Sequence, residues 1–246
     1  MGERNQWVYE VEGGVQVGSN PDDTNHVAGF FTGGFGRKFS RLPWSPELWC
    51  YYDWASGSDT VGNGFNHYVP RAHYYLGFMD LYGRRNLEDL NLKLSMQASE
   101  KWQFLAWCHF FSLANGRDVP YNLNMKPYAG LQAGSTGSQT LGTELDLQTT
   151  YKVNSQTQLR VGYSHFWAGS YYSKTPGVPY QDDANFLYGH FLFEFYSMAC
   201  PLKVASPVRV RSGCSFRQLP LTCKSRLLAV CIFAHEKGAG EISQTP

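Results

Sequence analysis

Glu144 and Asp146 stand two residues apart, so in an extended strand both carboxylates leave one face, about 7 Å from each other. That separation lies in the range used by inverting glycosidases, where one acid must also be desolvated to keep its proton near neutral pH. The same spacing arises wherever a strand alternates polar with apolar residues, and this reading is preferred; no catalytic residue is assigned. Asp53, Asp59 and Asp80, with the Asn and Gly residues between them, offer hard oxygen ligands. They lack the spacing of a calcium loop, and Asx turns account for them. The histidines, including His109 and His190, form neither His-x-His nor His-Glu-x-x-His, so a zinc hydrolase is excluded. Gly33-Gly34-Phe35-Gly36 lacks the spacing and the Lys-Ser/Thr of a phosphate loop; glycine there serves strand bending and close packing. No metal or cofactor is expected.

The elements that must carry these residues are strands. Trp7, Tyr9, Val11, Val15 and Val17 share one parity, and Glu10, Glu12 and Gln16 the other. The pattern returns as Leu90, Leu92, Leu94 and Met96 against Asp89, Asn91 and Lys93, and as Leu145, Leu147 and Tyr151 against Glu144, Asp146 and Gln148. Eight strands are expected: 7–17, 26–38, 47–55, 89–97, 102–113, 141–151, 158–168 and 185–196. Most have roughly ten residues, the length a tilted strand needs to cross a bilayer. The connections 39–46, 98–101 and 152–157 are short, whereas 56–88 and 114–140 are long. Short turns on one side and long loops on the other are the asymmetry of outer-membrane barrels.

Composition agrees. Aromatic residues make up 16% of the 246 residues, 25 are glycine, and charged residues reach only 17%. These proportions exclude an all-helical protein and general disorder. A net charge of +1 leaves no bulk attraction for nucleic acid, which is not an expected partner. No run approaches the roughly 18 apolar residues of a spanning helix, and the first residues carry no secretory leader.

Past Tyr196 the character changes. The stretch 197–246 contains Cys200, Cys214, Cys223 and Cys231, is rich in Lys and Arg, and has no Tyr or Trp. Its cysteine spacing matches no zinc pattern, so it is read as a non-barrel tail, disordered or non-native, behind a barrel portion at 1–196.

Several segments resemble a known family. Tyr51-Tyr52-Asp53-Trp54-Ala55-Ser56-Gly57-Ser58-Asp59, then Gly62-Asn63-Gly64-Phe65-Asn66, then His73-Tyr74-Tyr75-Leu76-Gly77-Phe78-Met79-Asp80 resemble the bacterial alginate-export barrels. His109-Phe110-Phe111-Ser112-Leu113-Ala114, Gly142-Thr143-Glu144-Leu145-Asp146 and Gly162-Tyr163-Ser164-His165-Phe166-Trp167-Ala168-Gly169 follow in the order of the family's later strands. The resemblance spans about Trp7 to Phe195. It implies an all-β antiparallel transmembrane barrel in the bacterial outer membrane, of which this chain supplies the C-terminal portion of a larger whole. It further implies a passive pore or exporter for a polysaccharide or other polar solute. The expected partners are outer-membrane lipid, the solute and periplasmic export components.

On this view the inward faces line the solute pathway. Acids come from Glu10, Glu12, Glu47, Asp53, Asp89, Glu144, Asp146 and Glu194, and bases from Lys38, Lys93, Lys152 and Arg160. Trp107, His109, Tyr188 and His190 face inward beside them. The wall charges are expected to be solvated, and sugar stacking is the competing use of Trp107 and Tyr188. Acids outnumber bases, so the ring of cations suited to a polyuronate is not expected from these strands. Trp44, Trp49, Trp102 and Tyr151 are assigned to one interfacial girdle, and Trp54, His165, Trp167, Tyr171 and Tyr172 to the other. The rival readings are a soluble or cell-surface all-β carbohydrate-binding domain and, third, a glycoside-active enzyme using Glu144 and Asp146.

Overall fold

Two-residue alternation becomes one antiparallel sheet. The computed structural model describes residues 7–19, 25–68, 74–128, 138–175, 182–196 and 224–231, the last stretch and residues 195 and 196 in their backbone only. The strands are β1 (Trp7–Ser19), β2 (Asn25–Lys38), β3 (Glu47–Ala55), β4 (Leu87–Gln97), β5 (Trp102–Ser112), β6 (Thr140–Lys152), β7 (Thr157–Ala168), β8 (Ala184–Tyr196) and β9 (Lys224–Cys231). Each pairs with its sequence neighbour, and the sheet order is β1 through β9 without a crossover. The first eight match the expected strands to within two residues at each end. The ninth lies inside the stretch set apart as a tail; of that stretch, residues 197–223 and 232–246 lie outside the described residues. Described strands do not close on themselves, and β1 and β9 stand at the two edges. No helix among the described residues is long and apolar enough to cross a membrane.

The polarity of the sheet is inverted relative to a water-soluble core. Large apolar side chains lie open on the convex face, among them Tyr9 at 85%, Val15 at 75% and Val27 at 73% exposure, whereas Asp89, His109, Glu144 and Asp146 on the concave face are fully buried. One irregularity interrupts the ladder, a register shift where Phe111 and Ser112 face Gly142 and Thr140. Gly142 takes φ +152° there, and a Cβ would overlap Phe166 and the Trp167 carbonyl.

Long loops fill the space at one end of the sheet. The β3–β4 loop, the β5–β6 loop and the segment carrying α1 (Ser170–Lys174) share a core of Leu76, Tyr82, Leu113 and Tyr171 with the strand ends Leu87, Phe111, Leu141 and Phe166. Tyr171 is fully buried, and the Tyr172 hydroxyl lies 2.5 Å from that of Tyr82. The girdle assigned to these two tyrosines is therefore corrected: α1 turns them onto the loop core. His165 and Trp167 pack edge to face at 4.3 Å on the convex side. At the short-turn end Trp102 lies 4.6 Å from Tyr151 and Trp44 lies 6.0 Å from Phe104, which forms an aromatic band there. Trp49 is not in it. It shares parity with Asp53, faces the concave side and stacks on Tyr51 at 5.0 Å, so its assignment to the girdle is also corrected.

Candidate functional site

The concave face carries two distinct zones, and the β3–β4 loop divides them. From the loop end, residues 74–86 run down into the sheet's hollow. The backbone N–H of Phe78 donates to Asp146 (3.1 Å) and that of Met79 to Glu144 (2.9 Å). Arg84 reaches Asp53 at 2.6 Å, with the Thr32 hydroxyl donating to the same carboxylate oxygen at 2.6 Å. The Phe78 ring meets Trp107 and Tyr188 edge on, each at 5.9 Å.

Beneath this segment lies the first zone, a buried polar network. His109 Nδ1 is 2.7 Å from Asp89, and its Nε2 is 3.9 Å from Asp146. Ser164 donates to Asp146, and Asn91 donates to Asp89 at 2.8 Å while accepting from the Trp107 indole at 2.7 Å. Solvated wall charges were expected at Asp53, Glu144 and Asp146. The structure differs because the loop lies over them and replaces water with its own N–H groups and the Arg84 guanidinium, which is how buried carboxylates must be matched.

The second zone opens toward the short turns as a cavity of about 490 Å³. Lys93, Arg160 and His190 bring positive or protonatable groups to its wall, against Glu47. Lys93 Nζ sits 4.3 Å over the Trp107 ring, and Trp49 and Tyr51 present a stacked pair, with the Trp49 indole tied to Glu47 at 2.6 Å. Gln148 takes the Tyr188 hydroxyl bond at 3.0 Å. Trp107 and Tyr188 thus point inward, but at 3% and 5% exposure their rings are covered by Phe78 and Lys93, and neither is an open platform. Glu10 borders the open zone, and two further expected pathway residues, Glu12 and Glu194, stand apart from it. Glu10 receives the Tyr51 hydroxyl at 3.4 Å in a smaller pocket of about 130 Å³, Glu12 is exposed on β1 near His67, and Glu194 sits by the β6–β7 turn, its N–H bonded to the Gln156 carbonyl at 2.8 Å.

Sequence reasoning missed Trp49, Tyr51, Tyr74 and Phe78 as cavity residues. For Trp49 and Tyr51 a signal existed in their parity with Asp53. For Tyr74 and Phe78 none did, because a loop's return into the hollow is a tertiary event.

The cap over the loop end is held from several sides. Asn86, at φ +51°, donates to the Asn115 and Val119 carbonyls (3.1 and 3.2 Å) and accepts from the Asn115 N–H at 2.7 Å. Asp118, fully buried, accepts from the Ser58 N–H, the Val119 N–H and the Tyr121 hydroxyl at 2.9, 2.8 and 2.6 Å. Burial first, and then that hydrogen bond to Asp118, push the Tyr121 phenol above its usual 10.0. Arg85 donates to the Phe65 carbonyl at 2.8 Å, the Met125 carbonyl at 3.0 Å and Asn66 at 3.0 Å, and its guanidinium stacks over Tyr121.

A family model described as alginate export matches residues 1–184, from before β1 to the first residue of β8. No curated protein matches the chain. With an inverted sheet, alternating short turns and long loops, and a loop-filled polar hollow lying within the matched span, the chain belongs to the alginate export family.

Proposed function

We propose that the concave face is part of the wall of a passive outer-membrane conduit for an acidic polysaccharide, and that further strands complete the barrel between the β1 and β9 edges. The observation that carries this is the inversion of polarity. Tyr9, Val15, Val17 and Val27 are open to the surroundings while Asp89, His109, Glu144 and Asp146 are sealed inside. Exposed apolar area of that extent is stable against lipid and costly against water. It counts against the soluble carbohydrate-binding alternative.

The choice of an acidic chain as cargo is supported by the open zone. Lys93, Arg160 and His190 sit around one cavity beside the Trp49–Tyr51 pair. Cations give transient contacts to sugar carboxylates, aromatic faces give sliding contact to the pyranose rings, and both are weak enough to permit exit. Glu144 and Asp146 have oxygens committed to loop N–H groups, which leaves them the role of anchors.

The test is flux through proteoliposomes carrying the protein with any strands that complete its barrel, comparing oligouronate with a neutral oligosaccharide of equal length. Faster passage of the acidic oligomer supports the proposal. Equal passage removes the acidic specificity, and no passage of either sinks the pore.

A further inference from the structure

We propose that Arg37, at the short-turn end of β2, binds the phosphate of an anionic glycerophospholipid, with Arg41 of the adjoining turn as the second cation. The proposal rests on the reading of the convex face as bilayer-facing, and goes beyond it by fixing one class of lipid at one place on that wall.

Arg37 shares the parity of the exposed Phe31 and Phe35, and stands in register with Trp7 of β1 and Leu48 of β3, both also exposed. It therefore belongs to the convex face. Counted by that parity through β1–β8, it is the only Lys or Arg there. Lys93, Lys152 and Arg160 have the opposite parity, as does Lys38, which stands across from Glu47. One acid shares the face, Glu88, but it lies at the loop end of β4 and accepts from Ser112 at 3.4 Å. Arg37 is one residue from the end of β2. From 37 to 46 there are two arginines and one lysine but no acid, and Glu47, which ends the run, is tied to the Trp49 indole.

A lone cation on a lipid-facing wall is tolerated at headgroup depth, where an anion can meet it. The Arg37 guanidinium carbon lies 5.2 Å from the Trp7 ring and 5.1 Å from the Phe39 ring. These rings hold the group in place, yet they accept none of its in-plane hydrogen bonds, and no carboxylate among the described residues pairs with it. Its N–H fork is thus left for a planar pair of oxygens, the arrangement a phosphate offers. Arg41 is exposed on a turn that is itself anchored, since the Gln97 N–H donates to the Trp44 carbonyl at 2.8 Å and the Trp44 ring packs on Phe104. Toward the middle of the sheet, Phe35 stands between Tyr9 and Cys50 on the same face, an apolar track beside the cation. Free phosphate would use the cations alone. A glycerophospholipid uses both, with its phosphate on the arginines and an acyl chain along the track.

The experiment is native mass spectrometry of the full chain, with any strands that complete its barrel, released from detergent after titration with dioleoyl phosphatidylglycerol or dioleoyl phosphatidylcholine. Matched acyl chains leave the headgroup as the variable. Phosphatidylglycerol is expected to be retained at least about tenfold better. Arg37→Gln should cut that preference by about fivefold, whereas Lys101→Gln, which removes an exposed charge from the neighbouring β4–β5 turn, should leave it within about twofold. Arg41→Gln, expected to lower the preference by about threefold, carries the test if the first variant fails to fold. Excess inorganic phosphate should not displace the lipid. Equal retention of the two lipids, an equal loss in Lys101→Gln, or displacement by phosphate overturns the site. A chain that conducts solute but shows no headgroup preference overturns this site alone, and a chain that holds neither lipid and stays dispersed without detergent overturns the conduit with it.

Discussion

Gly77 sits against the carboxylate of Glu144, close enough that a Cβ on the glycine would overlap the Glu144 side chain. Its φ of +84° is also one that L residues rarely adopt. Glycine is therefore what lets the chain turn tightly enough for the next two N–H groups to reach Asp146 and Glu144. Gly77→Ala is expected to weaken loop docking by about 2–4 kcal/mol, combining the backbone cost with the lost hydrogen bonds to the Glu144 and Asp146 carboxyl groups. Limited proteolysis of the β3–β4 loop reads this as nicking at least about 30-fold faster, with strand content unchanged.

Arg84→Met leaves the Asp53 carboxylate buried without its cation, and a loss of about 3–5 kcal/mol is expected in denaturant unfolding. Adding Asp53→Asn should recover most of that loss. Full additivity of the two changes would show that the pair is not coupled.

The Arg117–Asp59 pair, at 2.7 Å, makes the opposite case. Both side chains are mostly exposed, and Arg117→Ala is expected to leave the unfolding midpoint nearly unchanged, with any difference shrinking further in high salt. The same denaturant titration, run at two salt concentrations, checks it.

The loop cap should have an alkaline limit. Tyr121 has its phenol raised above 10.0 in the folded state, so its contribution is complete below that value and is lost as pH climbs past it. Tyr121→Phe removes this limb and costs about 1–3 kcal/mol, since Asp118 and the Gly62 N–H each lose a partner. Near-ultraviolet absorbance of tyrosinate, followed together with loop proteolysis, distinguishes the two chains.

Lys93→Gln combined with Arg160→Gln should cut oligouronate flux by about tenfold and leave a neutral oligosaccharide's flux within about twofold, because only the carboxylate contacts are removed. An equal drop for both solutes would show that the substitutions act on shape.

The strands were legible because a bilayer-facing wall forces a strict two-residue period, and Glu47–Ala55 is recovered to the residue. Trp49 shows how that rule is misapplied. Its residue type suggests an interface, but its parity with Asp53 sets its direction, and parity is geometric whereas the type preference is statistical. The state of Glu144 and Asp146 was not legible. A buried acid and a wet one look alike in a polar-apolar alternation, and the difference is made by Phe78 and Met79, which are remote in sequence. Tyr171 failed for the same reason, since a five-residue helix with no period of its own reorients it.

Asn86 and Asp118 each bind segments that belong to different hairpins. These bonds join the β3–β4 connection to the β5–β6 connection at the end of the sheet opposite the short turns, so none can form until both hairpins are in place. Once made, they resist the return of either hairpin, since withdrawal must first expose Asp118 and the Asn86 amide without partners. The loop cap thus acts as a clasp: the two hairpins separate only when Asp118 and Asn86 give up their partners together.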